Sequence, residues 1–264
     1  DYPTLSGAIA GLPPVALLEN GTRYKIQIRP GIYTEPGQVA FPDYVDIEGA
    51  GQDATIVQTS VNSNVGGIID ITCAGFLLGS NAKVSNITFI NAGKSTDSSS
   101  TSTCLYTNPT APGKHDITLE NISVQLAGLT MFNFGITLDT CSNVDINNVN
   151  VFSGLVYGIS ANANCCMNIV KSVQSIHLNK ITLESNNPAS YDNLCLWIND
   201  TSAIISNFNF NTSSGIGNNR GIICYNDQSL QTQITNEFFG GVVSSQGAVD
   251  YSVFNDPNSK VILN

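Results

Sequence analysis

The chain has 264 residues and a formal net charge of −10, and only 11% of its residues are charged. Such acidity repels the phosphate backbone of a nucleic acid, so no nucleic-acid partner is expected. No stretch approaches the roughly 18 consecutive apolar residues of a membrane-spanning helix, so no membrane span is predicted.

The N-terminal segment predicts a cap followed by a first coil of strands. Leu5, Ile9 and Leu12 lie on one face of a short helix that Pro13 and Pro14 would end. A cap of this kind protects the open edge of a first strand. Strand and turn patterns follow at 24–33, 45–51 and 54–57.

A strand of eight residues then recurs along the chain. Its copies alternate apolar and polar residues, as half-buried strands do, and they are Ala82–Phe89, Ile117–Val124, Val144–Val151, Ile176–Leu183 and Ala203–Phe210. The alternation slips by one residue at an anchor position, which is Asn86, Asn121, Asn148, Lys180 or Asn207. Because a slip turns the side chains of a straight strand to the wrong face, the chain must bend there. Asn tolerates the left-handed conformation of such a bend, and stacked amides would form a ladder that Lys180 interrupts.

A second strand is predicted after each bend. Its expected copies are Gly135–Asp139, Gly158–Asn162, Leu194–Asp200 and Gly221–Asp227, with an inward column of Ile136, Ile159, Cys195 and Ile222. This pattern predicts an all-β fold, a single parallel β-helix with a short capping helix. We expect one domain with a cap at 1–23, coils at about 24–255 and a tail at 256–264. A β-sandwich would not explain anchors at a repeating interval.

The first 90 residues resemble the pectin-lyase-like right-handed β-helix superfamily, and pectinesterases most of all. The likeness lies in Ile28–Glu35, in Ile47–Gly51 and in Asn86–Asn91. It implies a right-handed coil in which Tyr33 and Glu35 form a structural turn. The catalytic Asp, Gln and Arg motifs of pectinesterases have no counterpart, and the strand where a Gln should stand is Cys104–Asn108. The resemblance therefore implies the fold without the chemistry.

Two carboxyl groups are the candidates for chemistry. Aligning Leu194–Asp200 with Gly221–Asp227 at an offset of 27 residues places Asp200 over Asp227 and Asn199 over Asn226. With Arg220 and Tyr225 beside them, the two Asp residues fit either a Ca²⁺ site or an acid/base pair. The alternative is that Asn-Asp only begins a turn after each strand. No other cofactor is expected. Most of the seven cysteines are predicted to be small residues of the core.

The same alignment predicts an apolar patch on the outside of the coil. It turns Cys195, Trp197, Ile222 and Cys224 inward, and it turns Leu196, Ile198, Ile223 and Tyr225 outward. Such a patch would bind a ligand or a second copy of the chain, or be covered by the loops around 92–112 and 184–192.

Two functions fit these features. The first is a non-catalytic recognition or display module with a carbohydrate or protein partner, and the missing catalytic motifs favour it. The second is a carbohydrate-active enzyme that acts on an acidic polysaccharide through Asp200, Asp227 and Arg220. Abundant Ser, Thr and Asn with little charge favour an extracellular protein, or one on a virion or cell surface.

Overall fold

The computed structural model describes most of the chain. The described ranges are 2–13, 23–64, 68–93, 100–107, 113–126, 130–153, 163–171, 176–185, 192–212, 218–225, 234–245 and 259–263. Within them, no helix is long and apolar enough to cross a membrane.

The described residues form one short α-helix, a 3-10 turn at Ile71–Cys73 and strands. The helix is α1 (Leu5–Ala10). The strands are β1 (Tyr24–Gln27), β2 (Gly31–Thr34), β3 (Val39–Ala40), β4 (Val45–Glu48), β5 (Thr55–Thr59), β6 (Ala74–Leu78), β7 (Ala82–Asn91), β8 (Thr101–Thr107), β9 (Lys114–Leu126), β10 (Phe132–Asp139), β11 (Cys141–Ser153), β12 (Ala163–Val170), β13 (Ile176–Ser185), β14 (Asp192–Asn199), β15 (Ala203–Thr212), β16 (Asn218–Tyr225), β17 (Ile234–Phe239), β18 (Val242–Ser245) and β19 (Ser259–Leu263).

The strands wind as a parallel β-helix, as the repeat predicted. The first sheet runs β1-β4-β7-β9-β11-β13-β15-β17-β19, and β2, β5 and β18 pair beside this path. The second sheet runs β16-β14-β12-β10-β8-β6-β3. Neighbouring strands within each sheet are parallel. The chain thus passes from one sheet to the other and back, and apolar side chains of both sheets fill the space between them.

The predicted anchors are bends in the left-handed conformation. Their φ angles are 58° at Asn86, 54° at Asn121, 55° at Asn148, 54° at Lys180 and 52° at Asn207. The strand register passes over them, so the residues on either side both keep facing the interior. The slip in the alternation therefore marks a corner of the coil.

The anchor amides form the predicted ladder, and Lys180 interrupts it. Asn121 donates from Nδ2 to Oδ1 of Asn86 at 2.6 Å, and Asn148 donates to Asn121 at 2.9 Å. At Lys180 the hydrogen bonds between coils shift to the residue that precedes the anchor. There Asn179 donates to Asn147 at 3.0 Å, and Asn207 donates to Asn179 at 2.8 Å.

The second sheet departs from the prediction at one coil. The strand there is β12 (Ala163–Val170) rather than the predicted Gly158–Asn162, which lies outside the described residues. The inward column joins Ile136, Met167, Leu196 and Ile222, so Cys195 does not belong to it. The strand Ala163–Val170 was overlooked because its alternation slips at Cys166, which the register passes over.

A buried polar column inside the second sheet was not predicted. It consists of Ser102, Asn133, Asn164, Asn193 and Asn219, each at most 5% exposed. Asn133 donates to Asn164 at 2.9 Å, and Asn193 donates to Asn219 at 3.1 Å. The interior of the coil thus holds a partial amide ladder of its own beside the apolar core, in which Nδ2 of Asn164 has no hydrogen-bond partner.

The predicted N-terminal helix is present and is fastened by Glu35. Thr4 caps α1, and its side chain accepts a hydrogen bond from the Gly7 amide. The buried carboxylate of Glu35 accepts from the Leu5 amide at 2.7 Å. Glu35 is therefore structural, as the resemblance implied. At the other end, β19 pairs with β17, so the first sheet continues into the segment predicted as a tail.

Candidate functional site

The predicted apolar patch is wrong in its direction at two residues. Leu196 and Ile198 are fully buried in the main core, and they pair with Ile222 and Cys224 of the next strand. Trp197, expected inside, lies on the outer face of the second sheet. Ile223 is on that outer face as predicted, but it is only 7% exposed and packs in an outer apolar cluster.

A second corner of the coil explains this error. The register pairs Leu194 with Arg220 and Leu196 with Ile222, and it passes over Cys195 and Gly221. Cys195 and Leu196 consequently both face the core, and every later side chain of β14 changes face relative to the prediction. The same correction gives an offset of 26 residues, so Asn199 lies beside Tyr225 and not beside Asn226.

Small residues occupy this second corner in successive strands. They are Gly75, Cys104, Gly135, Cys166, Cys195 and Gly221. A Cβ atom added at Gly135 would lie 2.3 Å from the carbonyl oxygen of Cys166 and 2.3 Å from Cγ1 of Val151. The recurrence of Gly or Cys at this position was a usable sequence signal for the corner, but the corner lacks the Asn that made the first corner visible.

The outer face of the second sheet carries two columns of side chains. One contains Ala74, Thr103, Phe134, Cys165, Leu194 and Arg220, and the other contains Leu77, Tyr106, Thr137, Asn168, Trp197 and Ile223. No carboxylate stands among these twelve residues, but two lie beside them. Asp139 follows Thr137 by two residues and accepts a hydrogen bond from Tyr106 at 3.4 Å, and Asp192 precedes Leu194 by two residues. The face is apolar and aromatic, with a few amide, hydroxyl and guanidinium groups.

Five residues at one end of these columns form what we call the Trp197 face: Asn168, Leu194, Trp197, Arg220 and Ile223. Asn168, Trp197 and Ile223 are direct neighbours on three adjacent strands, about 4.8 Å apart from one strand to the next. The tryptophan ring and the Arg220 side chain are partly exposed.

The Trp197 face holds three buried polar atoms without a hydrogen-bond partner. They are Oδ1 of Asn168, Nε1 of Trp197 and Nε of Arg220. One is an acceptor and two are donors. Buried polar groups are nearly always hydrogen-bonded. Six buried side-chain atoms of the described residues have no partner, and three of the six lie together on adjacent strands of this face.

Asp200 occupies a third corner and has a structural reason to be there. Its φ angle is 52°, and the residues at the same corner of the two preceding coils, Thr140 and Lys171, have φ angles of 49° and 55°. Since Thr and Lys serve equally well, this corner does not select a carboxylate. Asp227 lies outside the described residues, as does the side chain of Tyr225.

The metal hypothesis stays a prediction because half of the proposed pair is not described. Within the described ranges, no three His, Cys, Asp or Glu side chains converge as a metal site needs. The loops predicted as covers are described only in part, and the range 92–112 contains β8, a buried strand of the second sheet.

The cysteines of this region are buried thiols rather than nucleophiles. None of the seven cysteines forms a disulfide, and all seven are buried. Burial raises the pKa of the Cys165 thiol, and it raises the pKa of Cys224 to about 12. Burial also raises the pKa of Tyr106, with a further contribution from the Asp139 carboxylate. These groups stay protonated near neutral pH.

Comparison with known proteins shows similarity at the level of structure. No protein-family profile matches the sequence, and no curated protein matches it. The chain is similar to a pectin methylesterase from carrot, with 18% identity and a TM-score of 0.51 over 100% of this chain and 85% of that one. It is also similar to Escherichia coli YbhC, with 11% identity and a TM-score of 0.52 over 98% and 80%.

A third similar structure is a pectin methylesterase in complex with a hexasaccharide. The identity is 10% and the TM-score is 0.50, over 99% of this chain and 89% of that one. At these identities a structural match shows a shared fold and leaves the activity open. The parallel coil and these matches agree with the likeness of Ile28–Glu35. The chain therefore has the pectin-lyase-like right-handed β-helix fold.

Proposed function

We propose that the chain is a secreted or surface-displayed, non-catalytic recognition module that binds a carbohydrate on the Trp197 face. The observation that carries the proposal is the set of unpaired atoms on Asn168, Trp197 and Arg220, beside a partly exposed indole ring.

A bound saccharide would satisfy these atoms when the partly exposed side chains of Trp197 and Arg220 turn toward it. An unpaired buried donor or acceptor costs about 1–3 kcal/mol, so each hydroxyl or carboxylate that reaches one of them gains a similar amount. Ligand sites combine aromatic surface with a few placed polar groups, and the Trp197 face has this composition. Arg220 in addition suits a carboxylate, as found on acidic sugars.

Three features support recognition rather than catalysis. None of the five residues of the Trp197 face is a carboxylate that would act as acid, base or nucleophile. The neighbouring thiols have raised pKa values. The corner of Asp200 accepts Thr and Lys in other coils. The alternative, a polysaccharide-modifying enzyme, would need a group from outside the described residues, such as Asp227.

The partner class and the location follow from chemistry and composition. A protein of the same fold binds a hexasaccharide, so the fold can accommodate an oligosaccharide. The low content of charged residues, 11%, and the abundance of Ser, Thr and Asn support an extracellular setting. In this chain the Trp197 face itself supports a saccharide partner.

Trp197 is the only tryptophan of the chain, so its fluorescence reports directly on the site. We would titrate the protein with oligogalacturonate and with neutral xylo- and cello-oligosaccharides, and assay the same mixtures for released methanol, reducing ends and unsaturated products. We expect a saturable change in emission with at least one saccharide and no product.

Two substitutions on the Trp197 face test the assignment. Asn168→Ala and Arg220→Gln should each weaken saccharide binding about 10-fold, which corresponds to about 1.4 kcal/mol. Asn209→Ala, an exposed amide on the first sheet, is the control and should leave binding unchanged. Product formation that Asp200→Asn or Asp227→Asn abolishes would overturn the proposal in favour of an enzyme. Absence of any saccharide binding would also overturn it.

A further inference from the structure

The chain contains several sequences of the form Asn-x-Ser/Thr, which accept N-linked glycans in secreted proteins. There are five, at Asn20, Asn86, Asn121, Asn199 and Asn211. Asn20 lies outside the described residues. Of the other four asparagines, three are half-buried and Asn211 is exposed.

Two of the half-buried asparagines belong to the amide ladder of the anchors. Nδ2 of Asn121 donates to Asn86 at 2.6 Å, and Oδ1 of Asn121 accepts from Asn148 at 2.9 Å. A glycan is joined to Nδ2, so its first sugar would stand between amides of successive coils, which lie about 4.8 Å apart. The ladder therefore leaves no room for a glycan at Asn86 or Asn121 in the folded chain.

The third half-buried asparagine is Asn199, at the end of β14. Oδ1 of its side chain is buried and has no hydrogen-bond partner. The side-chain amide of Asn199 is thus packed against the protein, and it does not project into solvent as a carrier of a bulky group must.

Asn211 has the opposite environment. It lies near the end of β15, and its side chain is exposed while those of Phe210 and Thr212 on either side are fully buried. Ser244 donates to Oδ1 of Asn211 at 3.3 Å, and this contact leaves Nδ2 available. Among the described acceptor sequences, Asn211 alone directs its side chain outward from the sheet.

We propose that Asn211 is an N-glycosylation site, and that the other three described acceptor sequences stay unmodified in the folded protein. The inference rests on the extracellular location proposed above. In the reaction, Nδ2 of Asn211 attacks the anomeric carbon of an oligosaccharide carried on a lipid diphosphate. A C–N bond forms, the bond from that carbon to the diphosphate oxygen breaks, one proton leaves Nδ2, and the lipid diphosphate departs.

Secretion of the full chain from eukaryotic cells, behind a cleavable signal peptide, tests the proposal. Peptide-N-glycosidase converts a glycosylated Asn to Asp, and peptide mass spectrometry locates the conversion. We expect it at Asn211 and at none of the other three positions. Ser213→Ala destroys the acceptor sequence and should abolish the modification, whereas Ser213→Thr preserves the sequence and should keep it.

The outcomes separate this site from the proposed function. An unmodified Asn211 in the secreted native chain would overturn the proposal, and so would conversion at Asn86, Asn121 or Asn199. Failure of the native chain to leave the cells would overturn it as well, because the location on which it rests would be wrong. A secreted, glycosylated chain that binds no saccharide would instead overturn the function of the Trp197 face and support the site at Asn211.

Discussion

Two corners of the same coil turn the chain with different residues. At the first corner, four Asn residues and Lys180 adopt φ angles between 52° and 58°, and amides bridge successive coils. At the second corner, Gly and Cys leave room for neighbouring strands, as the 2.3 Å approach at Gly135 shows. Both corners keep side chains facing inward across a slip in the alternation.

The difference teaches when a corner is visible in a sequence. The first requires a rare backbone conformation, and few residue types other than Gly accept it, so Asn marks it. The second requires only small volume, and small residues occur for many other reasons. A steric requirement set by a distant strand leaves a weaker trace than one set by the residue's own backbone.

The largest effect on stability is expected from a substitution at the second corner. Gly135→Ala should destabilise the protein by about 3 kcal/mol, because the new Cβ would lie against the Cys166 carbonyl and Val151. Urea denaturation measures the change. The matched control is Gly37→Ala, where no atom lies within 4 Å of the added Cβ and we expect a change within about 0.5 kcal/mol. Equal stability of the two variants would show that the second corner has no steric requirement.

The next effect concerns the amide ladder of the first corner. Asn121→Ala should cost about 2 kcal/mol, since it removes two hydrogen bonds and strains the left-handed backbone. Asn121→Gly removes the same bonds without the strain and should cost about half as much. The free energies of unfolding of both variants check this, and a glycine variant less stable than the alanine variant would contradict the backbone explanation.

These two corners show how much of the structure the sequence predicts. The β-helix, its interrupted ladder and the bends were predicted from alternation and from Asn, and they are confirmed at Asn86, Asn121, Asn148, Lys180 and Asn207. The capping helix was predicted from the spacing of its apolar residues and is also confirmed. Leu196 and Ile198 were predicted outward and Trp197 inward, and all three were wrong because the slip at Cys195 went unseen. The buried column from Ser102 to Asn219 was missed for a related reason, since its ladder exists only once the strands are in register.

A smaller, stabilising effect is expected at Lys180, where the amide ladder is interrupted. Lys180→Asn should raise the free energy of unfolding by about 0.5 kcal/mol, because Asn suits a φ of 54° better and lies between Asn148 and Asn207. Thermal melting compares the variant with the native chain. A lower melting temperature would show that Lys180 has a role beyond the ladder.

The smallest effect is a pH dependence at the start of the ladder. Asn86 donates to Glu48 at 3.4 Å, and a hydrogen bond from Lys25 lowers the pKa of Glu48. Because the folded pKa lies below the unfolded one, this stabilisation is present above the unfolded pKa and disappears as the pH falls through the folded value. In the Glu48→Gln variant the melting temperature should therefore depend slightly less on pH between about pH 5 and pH 3. An identical acid profile for the variant would remove Glu48 from the account.

The central claim is that the slip at Cys195 turns Trp197 outward, and acrylamide quenching of its fluorescence tests this most directly. Trp197 is the sole tryptophan, so the folded protein should show clear quenching and an emission maximum typical of a partly exposed indole. A tryptophan that acrylamide reaches only after unfolding would place the ring in the core and contradict the account.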